Sequence, residues 1–372
     1  MQKNLPFLQV CRGLAALVVV FHHIHRSELF YFGFAPFGGI FEVGFNSVDF
    51  FFALSGFIIF YVHFRDLGQA AMFRKYCTKR LVRIYPLYWI VSLLAVVLIM
   101  GGGSQVLRPE VRDALVHPSA WLRSFLLLPQ REYPFLGVAW SLSYEMFFYV
   151  IFGLAILLDK RMLILLPLLY VGANILKMAY PPAGQQFAIS FLSAHYQMEF
   201  MLGMLAARIF LYSLQPGSRA EGWKPVLRWL WLPGLVLFLF TWYASISMPL
   251  IFSRFDLHTK LCYGLGAASI ILSCAQFSEI GSTWYDRLLL LVGDASFSLY
   301  LLHSLVLSAA AKTVVRLGLF HSGSTTFAYY GYFLLMALIC VVTGILLHKW
   351  VEKPLLSALR QGGKKAPAAA RS

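Results

Sequence analysis

Long apolar runs alternate with short basic segments along nearly the whole chain, and this pattern predicts membrane-spanning helices. A helix of about 20 apolar residues is long enough to cross the hydrocarbon core of a bilayer. Ten runs meet this criterion, and we predict one helix from each: 7–25, 48–64, 81–100, 138–158, 162–180, 186–208, 229–249, 261–278, 294–312 and 327–348. The sequence therefore predicts an all-α polytopic membrane protein with about ten transmembrane helices.

The placement of Lys and Arg predicts the orientation of these helices. An even number of crossings puts both termini on one side, and cytoplasmic segments of membrane proteins are enriched in Lys and Arg. Basic residues concentrate in 65–83, in 208–228 and after 348, so we predict that both termini are cytoplasmic. Because no internal repeat or change in composition interrupts the chain, residues 1–354 are predicted to form a single membrane domain. Residues 355–372 are predicted to be a basic, disordered cytoplasmic tail.

Composition excludes a soluble protein. Of 372 residues, 59% are hydrophobic and only 13% are charged, which is too little charge to cover a soluble core. The net charge of +15 does not indicate nucleic-acid binding, because the basic residues lie between apolar runs and are predicted to face anionic lipid and cytoplasm. Five cysteines without a CxxC motif support neither a disulfide framework nor a zinc site. The expected environment is membrane lipid.

The first apolar run, "RGLAALVVVFHHIHR", carries groups that a membrane penalises. Arg12 and His23 are eleven residues apart, about three helical turns, so they share one helix face roughly 16 Å apart, whereas His22 points about 80° away. Ionisable side chains in a membrane usually face the protein interior. The alternative is a helix whose Arg12 and histidines reach the two interfaces. A metal cluster of His22, His23 and His25 is disfavoured, since no carboxylate or Cys motif accompanies it.

Glu145 is the most costly residue of the chain to bury, because it lies within the apolar run 138–158. Ser141 lies four residues earlier and is predicted to face the same side, with Trp140 and Tyr149 flanking the pair. The position predicts a functional carboxylate in a wet cavity. The alternative is a structural carboxylate paired with an arginine of another helix.

Arg80 and Arg83 stand at i and i+3, hence on one helix face, directly before "IYPLYW". Arginine offers planar donors that suit phosphate groups, and we predict a phosphate-binding role. A positive anchor for the third helix would explain the charge equally well. Pro86 is expected to break or kink the start of that helix.

Further polar residues lie inside or at the ends of the predicted helices. Asp49 is expected either to hold a histidine tautomer or to cap the second helix, and Ser55 with Gly56 to allow close helix packing. His303 lies near the middle of the ninth helix, one turn after Tyr300. It is predicted to bind the acceptor, to act as a second acid or base, or only to bond a neighbouring helix.

Six motifs in order resemble landmarks of the acyltransferase-3 family of bacterial membrane sugar O-acyltransferases. They are "RGLAALVVVFHH", "VDFFFALSGFIIF", "RLVRIYPLYW", "WSLSYEMFFY", "SFSLYLLH" and "EKP", and together they span residues 12–354. The resemblance implies that His23, eleven residues after Arg12, is essential for transfer, in agreement with the helix-face argument.

The resemblance also implies an activity and its substrates. Acetyl-CoA would be the donor, a co-substrate rather than a bound cofactor, and a hydroxyl of a surface or lipid-linked polysaccharide would be the acceptor. His23 is predicted as general base and Glu145 as the group that orients it or assists proton movement. Arg12, Arg80 and Arg83 are predicted to hold the donor phosphates. Supporting or acceptor-binding roles are predicted for Asp49, Ser55, Trp140, Ser141, Tyr149, Tyr300 and His303.

Other functions remain open at this point. The same fold could use another acyl donor, such as a succinyl group, or a lipid or macrolide acceptor. A transporter or flippase would also carry buried ionisable groups, but the paired broken helices typical of many transporters are not evident in the sequence. The predicted location is the bacterial inner membrane, with polysaccharide-assembly proteins as possible partners.

Overall fold

The computed structural model describes residues 5–101, 117–131, 133–179, 187–219, 221–253, 255–320 and 325–362. Within these ranges the protein is helical and contains no strand. The helices are α1 Pro6–Phe32, α2 Ser47–His63, α3 Ala70–Gly101, α4 Pro118–Phe125, α5 Trp140–Leu157, α6 Leu165–Ala179, α7 Phe187–Leu192, α8 Tyr196–Ser213, α9 Lys224–Trp229, α10 Trp231–Ser247, α11 Leu257–Cys274, α12 Trp284–Asp294, α13 Ser296–Arg316, α14 Thr326–Leu347 and α15 Lys353–Gly362.

Nine of the ten predicted spans each correspond to one helix of the described chain, and the span 186–208 is divided between two. Eight helices of the described chain are long and apolar enough to cross a membrane. The remaining two predicted spans form α8 and α11, which have 18 residues each and contain the buried charged residues Glu199 and Lys260. The protein is therefore a polytopic membrane protein. The number of ten crossings, the cytoplasmic termini and the single-domain division stay predictions.

Two predicted helices differ from the structure in their boundaries. Helix α3 begins at Ala70, and it continues through Pro86 without the predicted break. Membrane helices tolerate an internal proline when neighbouring groups satisfy the freed backbone. The predicted helix 186–208 is divided into α7 and α8, which are separated at residues 193–195.

The short helix α4 ends against the middle of α3. Three side chains of α3 donate hydrogen bonds to its last carbonyl groups: the Tyr88 hydroxyl to Ser124 O (2.5 Å), the Trp89 indole to Phe125 O (2.8 Å) and the Tyr85 hydroxyl to Leu126 O (2.8 Å). The last carbonyls of a helix have no partner within it, so these donors satisfy groups that would be costly to leave unpaired among apolar helices. This contact fixes the segment that leads into α5 and Glu145.

Helices α2 and α8 approach each other closely at two glycines. A Cβ atom placed on Gly203 would lie 1.8 Å from Ala53 O, and one placed on Gly56 would lie 2.1 Å from Phe200 O. Only residues without a side chain permit this backbone contact, as in other small-residue packings of membrane helices. The prediction that Gly56 allows close packing is confirmed, and the contact places the neighbouring Ser55 opposite α5.

The C-terminal end departs from the predicted disordered tail. After α14 the chain forms a π-helical turn, His348–Glu352, and then α15, which reaches Gly362. The prediction that disorder starts at residue 355 is thus wrong for 355–362, because this stretch is an amphipathic helix against the bundle. Residues 363–372 lie outside the described residues.

We expect Gly203→Ala to lower the free energy of unfolding, because the added methyl group collides with backbone that cannot move aside. Overpacking of this kind costs about 1–3 kcal/mol. Thermal unfolding of the detergent-solubilised protein measures the change.

Gly172→Ala in α6 is the matched control, since its Cβ would meet no atom within 4 Å. Equal unfolding temperatures for the two variants would contradict the packing argument.

Candidate active site

One cavity of about 610 Å³ lies between α1, α2, α3, α5, α13 and α15. Most of the residues predicted to form the site line it: Arg12, Ser55, Arg80, Arg83, Ser141, Glu145, Tyr149 and Tyr300. The structure therefore brings together side chains that are separated by up to nearly 300 residues in the sequence.

Basic side chains crowd one end of this cavity, which we call the basic end; it is defined by Arg12, Lys79, Arg80, Arg83 and Arg360. Lys79 and Arg360 were not predicted as site residues. Arg360 was missed because the tail was predicted to be disordered, although the repeated apolar positions in "KPLLSALRQ" are typical of an amphipathic helix. Such a concentration of cations in one concave site favours a polyanionic ligand.

Arg80 is fixed by a chain of hydrogen bonds that begins at Asp66. The guanidinium Nη2 of Arg80 donates to Nε2 of His63 (2.9 Å), so this nitrogen is unprotonated. His63 Nδ1–H then donates to Asp66 Oδ2 (2.7 Å). The Arg80 guanidinium also lies 5.9 Å from the ring centroid of Tyr76 and 5.5 Å from that of Tyr149. These contacts hold its charge in the wall of the cavity.

Arg83 is fixed by the buried Glu352 of the π-helical turn. Arg83 Nη1 donates to Glu352 Oε1 (2.5 Å), while Ser298 Oγ (2.7 Å) and His348 Nδ1 (2.8 Å) donate to Oε2. Glu352 is only 1% exposed. The "EKP" motif marked this glutamate, but the sequence offered no sign that its partner lies in α3.

Hydrogen bonds connect Arg12 to Gln9 near the start of α1 and, through Gln9, to Asp294 at the end of α12. Its Nη1 donates to Gln9 Oε1 (3.1 Å), and Gln9 Nε2 donates in turn to Asp294 Oδ1 (2.5 Å). Arg12 thus lines the cavity wall, and whether it also reaches the membrane interface stays a prediction.

Two hydroxyl groups bind Glu145 within the cavity. Ser55 Oγ donates to Glu145 Oε1 (2.7 Å), and the Tyr149 hydroxyl donates to the same oxygen (2.5 Å). No arginine pairs with this carboxylate among the described residues, so the alternative of a structural ion pair is not what is observed. Its hydrogen-bond partners do not include His23.

Ser141 and Tyr300 form a second hydroxyl pair in the cavity wall. Their oxygens are 2.7 Å apart, and the Tyr300 hydroxyl donates to Val138 O (2.7 Å). Because the Tyr300 proton is committed to that carbonyl, the Ser141 hydroxyl is the donor between the two. This pair ties the start of α5 to α13.

His23 faces His303 across the α1–α13 contact, with ring centroids 4.9 Å apart. His303 Nδ1 lies 3.0 Å from Leu299 O. A carbonyl oxygen only accepts, so Nδ1 carries the proton and Nε2 is left with a lone pair. His303 is 1% exposed, and its Nε2 has no hydrogen-bond partner in the described chain. The Tyr300 ring of the cavity wall has its centroid 6.0 Å from that of His303, whereas neither His23 nor His303 is among the residues that line the cavity.

His22 points elsewhere, as the helix-face argument predicts. Its Nδ1 lies 2.9 Å from Phe41 O, in the segment between α1 and α2. Of the two adjacent histidines, His23 is thus the one that meets α13.

Asp49 and Trp140 do not belong to the cavity wall. Both Asp49 carboxylate oxygens lie 2.7 Å from Lys260 Nζ of α11, in an ion pair that is almost completely buried. Both roles predicted for Asp49, holding a histidine tautomer and capping α2, are therefore wrong. Trp140 packs on the ring of Tyr196, with centroids 5.3 Å apart. Lys260 was missed, because its only signal was a charge near the start of an apolar run.

Comparison with known proteins indicates the family of this chain. The acyltransferase-3 family model, described as an acyltransferase domain, matches residues 5–346. The chain belongs to the acyltransferase-3 family. It is 28% identical over 395 residues to the acyltransferase MdmB of Streptomyces mycarofaciens, which covers 98% of this chain and 94% of that protein.

A second relative of this protein is the exopolysaccharide production protein ExoZ of Rhizobium meliloti (strain 1021). The two are 26% identical over 328 residues, which cover 86% of this chain and 92% of that protein. No solved structure matches the chain. Family and fold together identify a multi-pass membrane acyltransferase.

We expect Lys260→Met to destabilise this acyltransferase by about 3–5 kcal/mol, because it leaves the Asp49 carboxylate buried without its partner. The double variant Asp49→Asn/Lys260→Met removes both charges and should recover most of this loss. Thermal unfolding in detergent measures both. A double variant no more stable than Lys260→Met would show that the ion pair is not what Lys260 contributes.

Proposed function

We propose that this protein transfers an acetyl group from acetyl-CoA to a hydroxyl of a surface or lipid-linked polysaccharide. The observation that carries the proposal is a single cavity with a basic end, a hydroxyl-bound carboxylate in its wall and an imidazole pair beside it. The printed names of the two relatives support acyl transfer and a role in exopolysaccharide production.

The basic end is the proposed binding site for the phosphates of coenzyme A. Its arginines each keep N–H donors beyond those used by Glu352, His63 and Gln9, and phosphate oxygens accept such donors. The cavity volume of about 610 Å³ lies within the range of small-molecule sites, about 300–1,000 Å³. The thin pantetheine arm would extend from this end toward Tyr300 and the imidazole pair.

His23 is the proposed general base. The His23 and His303 rings lie with centroids 4.9 Å apart, and Nε2 of His303 keeps its lone pair without a partner in the described chain. A tautomer of His23 whose N–H turns toward this lone pair would leave the other nitrogen of His23 unprotonated and available to the acceptor hydroxyl. A neutral imidazole suits this step because a sugar hydroxyl is too weakly acidic to attack a thioester unaided.

Transfer then needs no covalent acyl-enzyme. The acceptor oxygen bonds to the thioester carbonyl carbon as its proton moves to His23, the carbon–sulfur bond breaks, and the coenzyme A thiolate leaves. The proton on His23 finally returns to the thiolate, which gives free coenzyme A and an acetyl ester. The Ser141 hydroxyl is committed to Tyr300 and is not assigned as a nucleophile.

Glu145 is assigned to the cavity wall rather than to His23. With Ser55 and Tyr149 bound to one oxygen, its second oxygen remains to accept a donor from the substrate. This replaces the predicted role of orienting His23, since the structure gives the imidazole a different neighbour in His303.

The donor also indicates an orientation. Coenzyme A is cytoplasmic, so the basic end, and with it Arg12 and Arg360 near both termini, would face the cytoplasm of a bacterial inner membrane. The acceptor would then enter near His23, with polysaccharide-assembly proteins as possible partners.

Release of the coenzyme A thiol by the purified protein, dependent on added glycan, tests the activity and separates it from transport or lipid flipping. NMR of surface glycans from cells with and without the protein identifies the acylated hydroxyl, and mass spectrometry of the product distinguishes acetyl from succinyl and a glycan from a lipid or macrolide acceptor. His23→Ala should lower thiol release by about 10²–10⁴-fold, the usual contribution of a general base.

His22→Ala is the matched control for His23→Ala, because its ring bonds Phe41 O and should affect release only mildly. Equal losses in the two variants would overturn the assignment of the base.

Arg83→Gln should weaken acetyl-CoA binding by about tenfold, the value of one charged hydrogen bond, while acceptor affinity stays nearly unchanged. Titration of the donor by calorimetry measures the effect. Lys75→Gln, which removes an exposed cation of α3 outside the cavity, is the control. Donor affinity unchanged in Arg83→Gln would refute the phosphate role.

A further inference from the structure

A second, smaller hollow of about 330 Å³ lies on the flank of the bundle between α1, α10 and α11. We call it the flank groove; its walls are the side chains of Phe7, Trp231, Leu235, Ile270 and Phe277, with Ser273 and Cys274 at its base. Trp231, Leu235 and Phe277 are 38%, 37% and 37% exposed. The groove is therefore open at the outer surface of the bundle, beside exposed apolar side chains of α10, and it shares no residue with the cavity of the candidate active site.

The hydroxyl and the thiol of the flank groove are already engaged. The Ser273 hydroxyl donates to Arg228 O (2.6 Å), and the Cys274 sulfur lies 3.6 Å from that of Cys11. Apart from the indole N–H of Trp231, an occupant thus finds aromatic and aliphatic surface. This lining suits a hydrocarbon chain.

A cation stands at one edge of the flank groove. The Arg228 guanidinium lies 5.9 Å from the ring centroid of Phe277, which forms part of the wall. In the described chain no carboxylate forms an ion pair with Arg228. Arg228 belongs to α9, whose Val226 and Trp229 are 65% and 67% exposed. A short helix with exposed tryptophan and a basic residue before an apolar span is typical of the membrane–water interface.

We propose that the flank groove binds an anionic glycerophospholipid of the surrounding bilayer, with one acyl chain in the groove and its phosphate on Arg228. Charge complementarity supports this occupant, because a single unpaired guanidinium stands where the headgroup would emerge from the apolar walls. The proposal does not depend on the acyl-transfer reaction.

Native mass spectrometry of the purified protein titrated with defined lipids tests the site. We expect phosphatidylglycerol to bind about fivefold more tightly than phosphatidylcholine, because attraction between one basic residue and an anionic headgroup contributes about this much affinity. Arg228→Gln should abolish this preference. Leu235→Trp, which fills the groove, should weaken both lipids about tenfold, the loss expected when about two methylene groups no longer enter.

Two control variants separate this site from general lipid contact. Lys75→Gln removes an exposed cation elsewhere, and Leu168→Trp enlarges a side chain of α6 that is 60% exposed and outside the groove; neither should change lipid affinity. Equal binding of the two lipids, or an unchanged preference in Arg228→Gln, would overturn the proposal. Tighter binding of a polyprenyl phosphate than of phosphatidylglycerol would also overturn it, since the groove would then serve an isoprenoid lipid.

Discussion

The cost of placing charge among apolar helices determines where the ionisable side chains of this protein lie. Asp49 and Lys260 meet in a buried ion pair between α2 and α11, and Glu352 holds Arg83 between the C-terminal turn and α3. Several further basic side chains, among them Arg12 and Arg80, line one cavity. The bundle therefore places a group of cations where a ligand can meet them.

Hydrogen bonds to residues outside the cavity hold two of its cations, Arg80 and Arg12, in place. Asp66 acts on Arg80 through His63, and Asp294 acts on Arg12 through Gln9. Each chain of contacts fixes a guanidinium while leaving further N–H donors for the cavity. Donors fixed in advance lose less energy to reorganisation when an anion binds. The short π-helical turn matters for the same reason, because it brings Glu352 and His348 to Arg83.

The sequence predicted the features that depend on one helix at a time, namely where a helix lies and which face a residue occupies. The length of the apolar runs predicted the helices, and the eleven-residue spacing of Arg12 and His23 correctly separated His23 from His22. It could not predict partners on other helices, because periodicity reports which face a residue occupies and not which helix meets that face. Lys260 lies 211 residues from Asp49, and Glu352 lies 269 residues from Arg83. Arg360 was not predicted as a site residue for a different reason: its helix is amphipathic and too short to resemble a membrane span.

The contact between His23 and His303 distinguishes one end of the candidate site from the basic end. Leu299 O fixes the proton of His303 on Nδ1, so Nε2 carries a lone pair, and the His23 ring is its neighbour, with centroids 4.9 Å apart. No carboxylate hydrogen-bonds to either ring in the described chain, and the basic end lies about three helical turns below His23 on α1. The proposed sites of anion binding and of proton transfer are therefore separated along α1, with the basic end in the cavity and the imidazole pair beside it, next to Tyr300. A donor bound through its phosphates at the basic end would extend its acyl end toward a neutral imidazole, the form that can accept the proton of the acceptor hydroxyl in general-base catalysis.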